Sequence, residues 1–210
     1  LYQMILANKP DHADSLHYLG VLAFENGSSE TACELIKKAI HINSSQAIFH
    51  YNLATIYKSD RQPALAVKHY KKAVKLQPDY IDAYTNLAAT YHEMENFPLA
   101  RQANLSALKV DQNSIDAFHH MGTLMNEAGQ YDEAIKYFDQ VILCDPMHIE
   151  ARFKKAHLQL LKGDFSNGWQ GYSWMFFAGS YLEKNPNRLI PFPRWNGGSL
   201  KNRRLLVNAD

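Results

Sequence analysis

Large apolar and small residues recur along this chain with a period of 34. Segments beginning at Ala13, Ala47, Ile81, Ile115 and Ile149 align without gaps. The seventh position of each holds Leu19, Leu53, Leu87, Met121 and Lys155, and the eighth holds Gly20, Ala54, Ala88, Gly122 and Ala156. The twentieth position is again small, with Ala32, Ala66, Ala100, Ala134 and Gly168. Within each unit the apolar residues follow an i, i+3, i+4, i+7 stripe, which predicts two amphipathic helices per unit. Small residues at positions eight and twenty let paired helices approach closely. Turn signals fall midway, at Asn26-Gly27, Ser59-Asp60, Glu95-Asn96, Gly129 and Gly163-Asp164. A second break near position thirty-two carries Pro10, Pro78 and Pro146, residues that end one helix or open the next.

The stretch Gly129 to Phe138, followed by Asp145-Pro146, reads Gly-x-Tyr-Asp-Glu-Ala-Ile-x-Tyr-Phe. With the 34-residue period, it resembles the tetratricopeptide repeat family over roughly residues 1–177. The resemblance implies an all-α, right-handed superhelical solenoid of about five repeats. Residues 1–12 are then the end of a preceding second helix, 13–178 the five units, and 179–210 an irregular extension. The fifth unit is degenerate, with Arg152 and Lys155 at apolar positions, as expected of a capping repeat. The chain starts inside a helix and stops just after a short apolar run, so it reads as a fragment of something longer.

In that family the first helices line a concave groove, and the resemblance assigns to it the second, fifth, sixth, ninth and twelfth positions of each unit. The candidates so placed are Tyr51, Asn52, Thr55, Lys58, Asn86, His92, His119, His120 and Asn126. A side-chain amide donates and accepts at once, so Asn52 and Asn86 suit an extended peptide backbone. The bland alternative is that they face water or cap a neighbouring helix. Chaperone-tail binders of the family hold a carboxylate with cations at the second and sixth positions. Here the second position holds Asp14, Ile48, Asp82, Asp116 and Glu150, which argues against that ligand. Acids in a first turn also favour the helix dipole, and this structural role suffices for them.

Charge narrows the picture further. Twenty-two Lys and Arg against 21 Asp and Glu leave a net charge of +1, without the basic excess of a nucleic-acid binder. No apolar run is long enough for a membrane helix. The adjacent His119 and His120 point about 100° apart on a helix and cannot chelate one ion. Cys33 and Cys144 read as small buried residues. No phosphate loop and no nucleophile motif is present, so neither metal, cofactor nor catalysis is expected of this chain. The sequons at Asn26, Asn43 and Asn104 mean little without a secretion signal, and a cytoplasmic location is expected.

Beyond Gly163-Asp164-Phe165 the composition changes. An aromatic segment, Trp169 to Phe177, reads as a capping helix. Pro186, Pro191, Pro193, Gly197 and Gly198 then break any helix, with six basic residues against two acids over 179–210. Gly-Asp-Phe-x-x-Gly-Trp-x-x-Tyr-x-Trp, then Pro193-x-Trp195-x-Gly197-x-x-Leu200 and Leu205-Leu206-Val207, resembles the junction in repeat-containing glycosyltransferases related to protein O-linked N-acetylglucosamine transferase. That resemblance implies a catalytic region beyond Asp210. The expectation is therefore a module that binds an extended protein segment in its groove. The alternative is that the module is the acceptor arm of such a transferase. A severed stack would also expose apolar surface near Leu1 and favour self-association there.

Overall fold

A computed structural model describes residues 1–177, with side-chain surroundings to residue 172. Among these residues every regular element is a helix: α1 (Tyr2–Asn8), α2 (Ala13–Glu25), α3 (Ser29–Ile42), α4 (Ala47–Ser59), α5 (Pro63–Leu76), α6 (Ile81–Glu93), α7 (Phe97–Val110), α8 (Ile115–Glu127), α9 (Tyr131–Cys144), α10 (Ile149–Leu161) and α11 (Phe165–Phe177). The fold is an all-α solenoid of repeated helical hairpins. Two compact units divide it, Leu1–Leu124 and the residues from Met125 onward.

In the first unit α2 packs on α3, α4 on α5 and α6 on α7, each hairpin also touching the next. The small residues sit at the closest contacts. Ala54 and Ala66 are wholly buried in one hairpin, and Ala88 and Ala100 nearly so in the next. At Gly20 an added Cβ would lie 2.7 Å from Ile36 Cγ1 and 3.2 Å from the Ala32 carbonyl oxygen, so no side chain fits without movement. Phe49, Leu53 and Ile56 fill the interior around these contacts. At the N-terminal end α1 buries no residue, and Leu1 and Met4 remain largely exposed.

The second unit keeps the same hairpin chemistry in α10 and α11. Gly168 replaces alanine there because Leu160 Cδ2 would lie 2.6 Å from a Cβ. The charged residues of this repeat are also accounted for. Lys155 forms an ion pair with Asp139 of α9 at 2.5 Å, and Arg152 Nε donates to the Pro146 carbonyl at 2.7 Å. Lys162 reaches Asp132 across the same pair of helices.

One turn recurs through the whole array. After α2 the Gly27 N–H donates to the Phe24 carbonyl and the Ser28 N–H to the Ala23 carbonyl, the paired bonds of a Schellman cap. Arg61, Glu95, Gly129 and Gly163 occupy the same place in the following repeats, and all five residues have positive φ, from 56° to 82°. The sequence signal Ser59-Asp60 lay just before the residue that turns, Arg61. The reason is that Arg and Glu carry no mark of a left-handed conformation. Such residues are strained there, whereas glycine is not. Glu95→Gly should therefore raise stability by about 1 kcal/mol, read as a higher melting temperature, and Gly129→Ala should lower it. A lower melting temperature for Glu95→Gly would show that the turn stores no strain.

Candidate functional site

First helices of successive repeats lie side by side in the first unit, with α2 touching α4 and α4 touching α6. This face carries most of the sequence candidates. Tyr51, Asn52, Thr55 and Lys58 come from α4, Asn86 and His92 from α6, and His119 and His120 from α8. All eight are half-buried. Asn126, also half-buried, lies in the second unit. The first-turn acids Asp14, Asp82, Asp116 and Glu150 are exposed at the starts of their helices, where they suit the dipole.

The asparagine ladder has a second occupation that the spacing did not reveal. Asn52 Nδ2 donates to His17 Nε2 at 2.7 Å, and Asn86 Nδ2 donates to the Tyr51 hydroxyl at 3.2 Å. Both bonds link the sixth position of one repeat to the fifth of the repeat before it. Asn86 Nδ2 also donates to its own helix, to the Asp82 carbonyl at 2.9 Å. With both its N–H bonds used, Asn86 keeps only its carbonyl oxygen for a further bond. Asn52 retains one N–H as well as its oxygen. Asn52 thus keeps a donor and an acceptor, and Asn86 an acceptor alone.

Around it the face is fixed by further contacts. Thr55 Oγ1 meets the Tyr70 hydroxyl at 3.1 Å, and Tyr51 packs against Tyr70 and Tyr80 with ring centroids 5.8 and 4.9 Å apart. Burial pushes all three phenols up, that of Tyr70 to about 12, so the cluster is neutral at ordinary pH. Lys58 forms an ion pair with Glu93 at 3.3 Å, joining α4 to α6. Beside it Ala88, Ala89, His92, Asn104, Thr123 and Leu124 line a cavity of about 110 Å³. Asn104, among them, is 1% exposed.

Histidine chemistry is concentrated elsewhere in the same unit. His50 of α4 and His69 of α5 approach Nδ1 to Nδ1 at 3.1 Å, with stacked rings. His50 Nε2 lies 3.4 Å from the Ser44 carbonyl and must carry a proton to donate to it. His50 Nδ1 is then the acceptor and His69 Nδ1 the donor. Lys37, Lys68 and Lys72 surround the pair, and Tyr57 packs on His69. Desolvation lowers both imidazoles, His69 to about 4. His17, 2% exposed and stacked on Phe49, is lowered for the same reason despite Asp14. Among the described residues no group of three or more His, Cys, Asp or Glu is arranged to hold a metal ion.

Models of the TPR repeat match residues 64–95, and of the tetratricopeptide repeat residues 116–143. Those two stretches thus match tetratricopeptide repeats. No curated protein sequence matches it. Among solved structures it is similar to MamA, at 25% identity and a TM-score of 0.65 over 69% of this chain and 85% of that one. PilF of Pseudomonas aeruginosa aligns at 21% identity and a TM-score of 0.72, over 80% of this chain and 76% of its own. YrrB, described as "a TPR protein with an unusual peptide-binding site", aligns at 19% identity and 0.68, over 90% and 94%. No helix among the described residues is long and apolar enough to cross a membrane. The glycosyltransferase-like segment from 179 onward lies outside the described residues.

The three lowered histidines set the sign of one pH effect. Each binds a proton less readily in the folded chain than in the unfolded one. Their contribution is full above about pH 6.5 and declines as pH falls toward 4, where His69 itself titrates. The melting temperature should fall between pH 7 and 5, and His69→Gln should make that fall shallower. An unchanged slope in the variant would remove the histidine pair as its cause.

Proposed function

We propose that the first-helix face of residues 13–124 holds an extended segment of a partner protein. The observation that carries this reading is the ladder itself. At successive repeats, half-buried asparagines are fixed in place by inter-repeat hydrogen bonds and keep carbonyl oxygens for a ligand. Fixed acceptors at a repeat spacing suit a polypeptide backbone, whose N–H groups also recur. Pre-organisation lowers the entropy lost on binding. The aromatic faces of Tyr51 and the imidazole of His92 supply apolar contact beside them. The likeness to YrrB, a protein described as having a peptide-binding site, points the same way.

A second reading rests on sequence. The order of Gly163-Asp164-Phe165, Gly168-Trp169, Pro193-x-Trp195-x-Gly197 and Leu205-Leu206-Val207 suits the acceptor arm of a repeat-containing glycosyltransferase. In that case the bound segment would be the protein to be modified.

Selection of random peptides on the immobilised protein, followed by affinity measurement, tests the groove. Asn52→Ala combined with Asn86→Ala should weaken the selected peptides at least tenfold. It should also lower stability by about 1 kcal/mol per lost bond, because each amide pins two repeats together. Lys71→Glu with Lys75→Glu, on the exposed face of α5, should leave affinity unchanged. Peptides that lose affinity only with the lysine pair would place binding on the second helices and overturn the reading.

A further inference from the structure

Charge is divided between the two kinds of helix in the first unit. Its first helices, α2, α4, α6 and α8 as far as Leu124, carry a net −4. Its second helices, α3, α5 and α7, carry a net +6. Lys68, Lys71, Lys72 and Lys75 of α5 supply most of that excess, and residues 61–78 contain no Asp or Glu. All four lysines are exposed. Their spacing along the helix puts them within about 100° of arc, in a stripe about 10 Å long.

The fold gains little from this stripe. Lys68 and Lys75 each stand three or four residues from both Lys71 and Lys72, so every neighbouring pair repels and opposes the helix. Only Lys75, in the last turn, gains from the helix dipole. The first turn of α5 holds no acid, where α2, α3, α6, α8, α9 and α10 each have one. Elsewhere lysines meet carboxylates, as Lys58 does with Glu93, Lys136 with Glu133 and Lys155 with Asp139. Among the described residues no carboxylate forms an ion pair with the four lysines of α5. Lys71 Nζ instead stands over the Tyr91 ring, 5.7 Å from its centroid.

The chemistry of the stripe selects among anions. Its cations are all lysines, point charges without the guanidinium fork that suits phosphate. Tyr70, the one Phe, Tyr or Trp of α5, is wholly buried, so the helix offers no such ring for a nucleic-acid base to stack on. A flat anionic bilayer would reach beyond one helix and meet Glu30 and Glu34, both exposed on the preceding second helix, α3. A single chain laid along α5 avoids them. Carboxylates three and four residues apart on one helix recur with the same rise as the lysines, so an acidic helix matches the stripe charge for charge.

We infer that the exposed face of α5 docks an acidic helical segment of a partner protein. This surface is separate from the proposed groove and does not depend on it. The probe is a fluorescein-labelled, alanine-rich peptide with glutamates at i, i+3, i+4 and i+7, and its control carries glutamines there. Fluorescence anisotropy on the whole chain reads the binding.

The glutamate peptide should bind saturably, at least tenfold more tightly than the control, and should weaken as salt is raised. Glutamine in place of Lys68, Lys71, Lys72 and Lys75 together should weaken it at least tenfold without lowering the melting temperature, because the repelling pairs are gone. If that variant fails to fold, Lys71→Gln with Lys72→Gln carries the test, with a loss of at least threefold. Lys9→Gln with Lys136→Gln removes as much charge as that pair from other exposed positions and should leave affinity unchanged. An equal loss there would make binding a matter of net charge and overturn the inference. So would the absence of saturable binding, or equal affinity for the glutamine peptide. Affinity lost in Asn52→Ala with Asn86→Ala but kept in the lysine variants would place the peptide in the groove and overturn the α5 surface alone. Tighter binding to phosphatidylserine vesicles or to duplex DNA, lost in the same lysine variants, would assign the stripe to lipid or nucleic acid and overturn it as well.

Discussion

Everything in this chain depends on how closely two helices approach within one repeat. Alanine or glycine at the eighth and twentieth positions removes the side chains that would hold the pair apart. Gly20 has no room for even one more carbon, with Ile36 only 2.7 Å from where it would stand. That contact fixes the hairpin, and the Schellman turn fixes where its second helix begins. Because each hairpin buries its apolar face mainly on its neighbours, a fault in one stays close to home. The array can therefore vary its polar face from repeat to repeat while the packing rule stays constant.

The hydrogen bonds between repeats show how that freedom is used. His17 with Asn52 and Tyr51 with Asn86 repeat one geometry with different partners. In each case a side chain on the proposed binding face is also part of the structure. Binding and stability cannot be separated cleanly at such positions, since removing the amide removes a strut. Lys58 and Glu93 add a similar link at the edge of the same face.

Much of this was legible in the sequence, and for a clear reason. A 34-residue period leaves the same residue types at the same depth repeatedly, so small positions such as Ala54 and Ala88 announce themselves. First helices begin at Ala13, Ala47, Ile81, Ile115 and Ile149, on the register of the alignment. What escaped was set by contacts across the period. The engagement of Asn52 with His17 joins residues 35 apart, one more than the repeat, and no spacing rule exposes it. The meeting of His50 and His69 depends on facing surfaces of α4 and α5. Asn104 went unnoticed because a lone polar residue in a helix is ordinary until its burial is known. Its signal was present all the same, as the one polar residue in the column of Ile36, Tyr70 and Phe138.

The left-handed turns at Arg61 and Glu95 bear on how the array opens. In a one-dimensional lattice each hairpin has its own intrinsic free energy, and strain at a turn is charged to that hairpin alone. Arg61 closes α4 on α5 and Glu95 closes α6 on α7, the two hairpins that carry the ladder. The repeat before them turns at an unstrained glycine, Gly27. Amide exchange through sub-global opening should therefore be graded, with the central hairpins of the first unit less protected than their burial alone implies. The part of the array proposed to hold a ligand would also be the part that yields most readily to admit one.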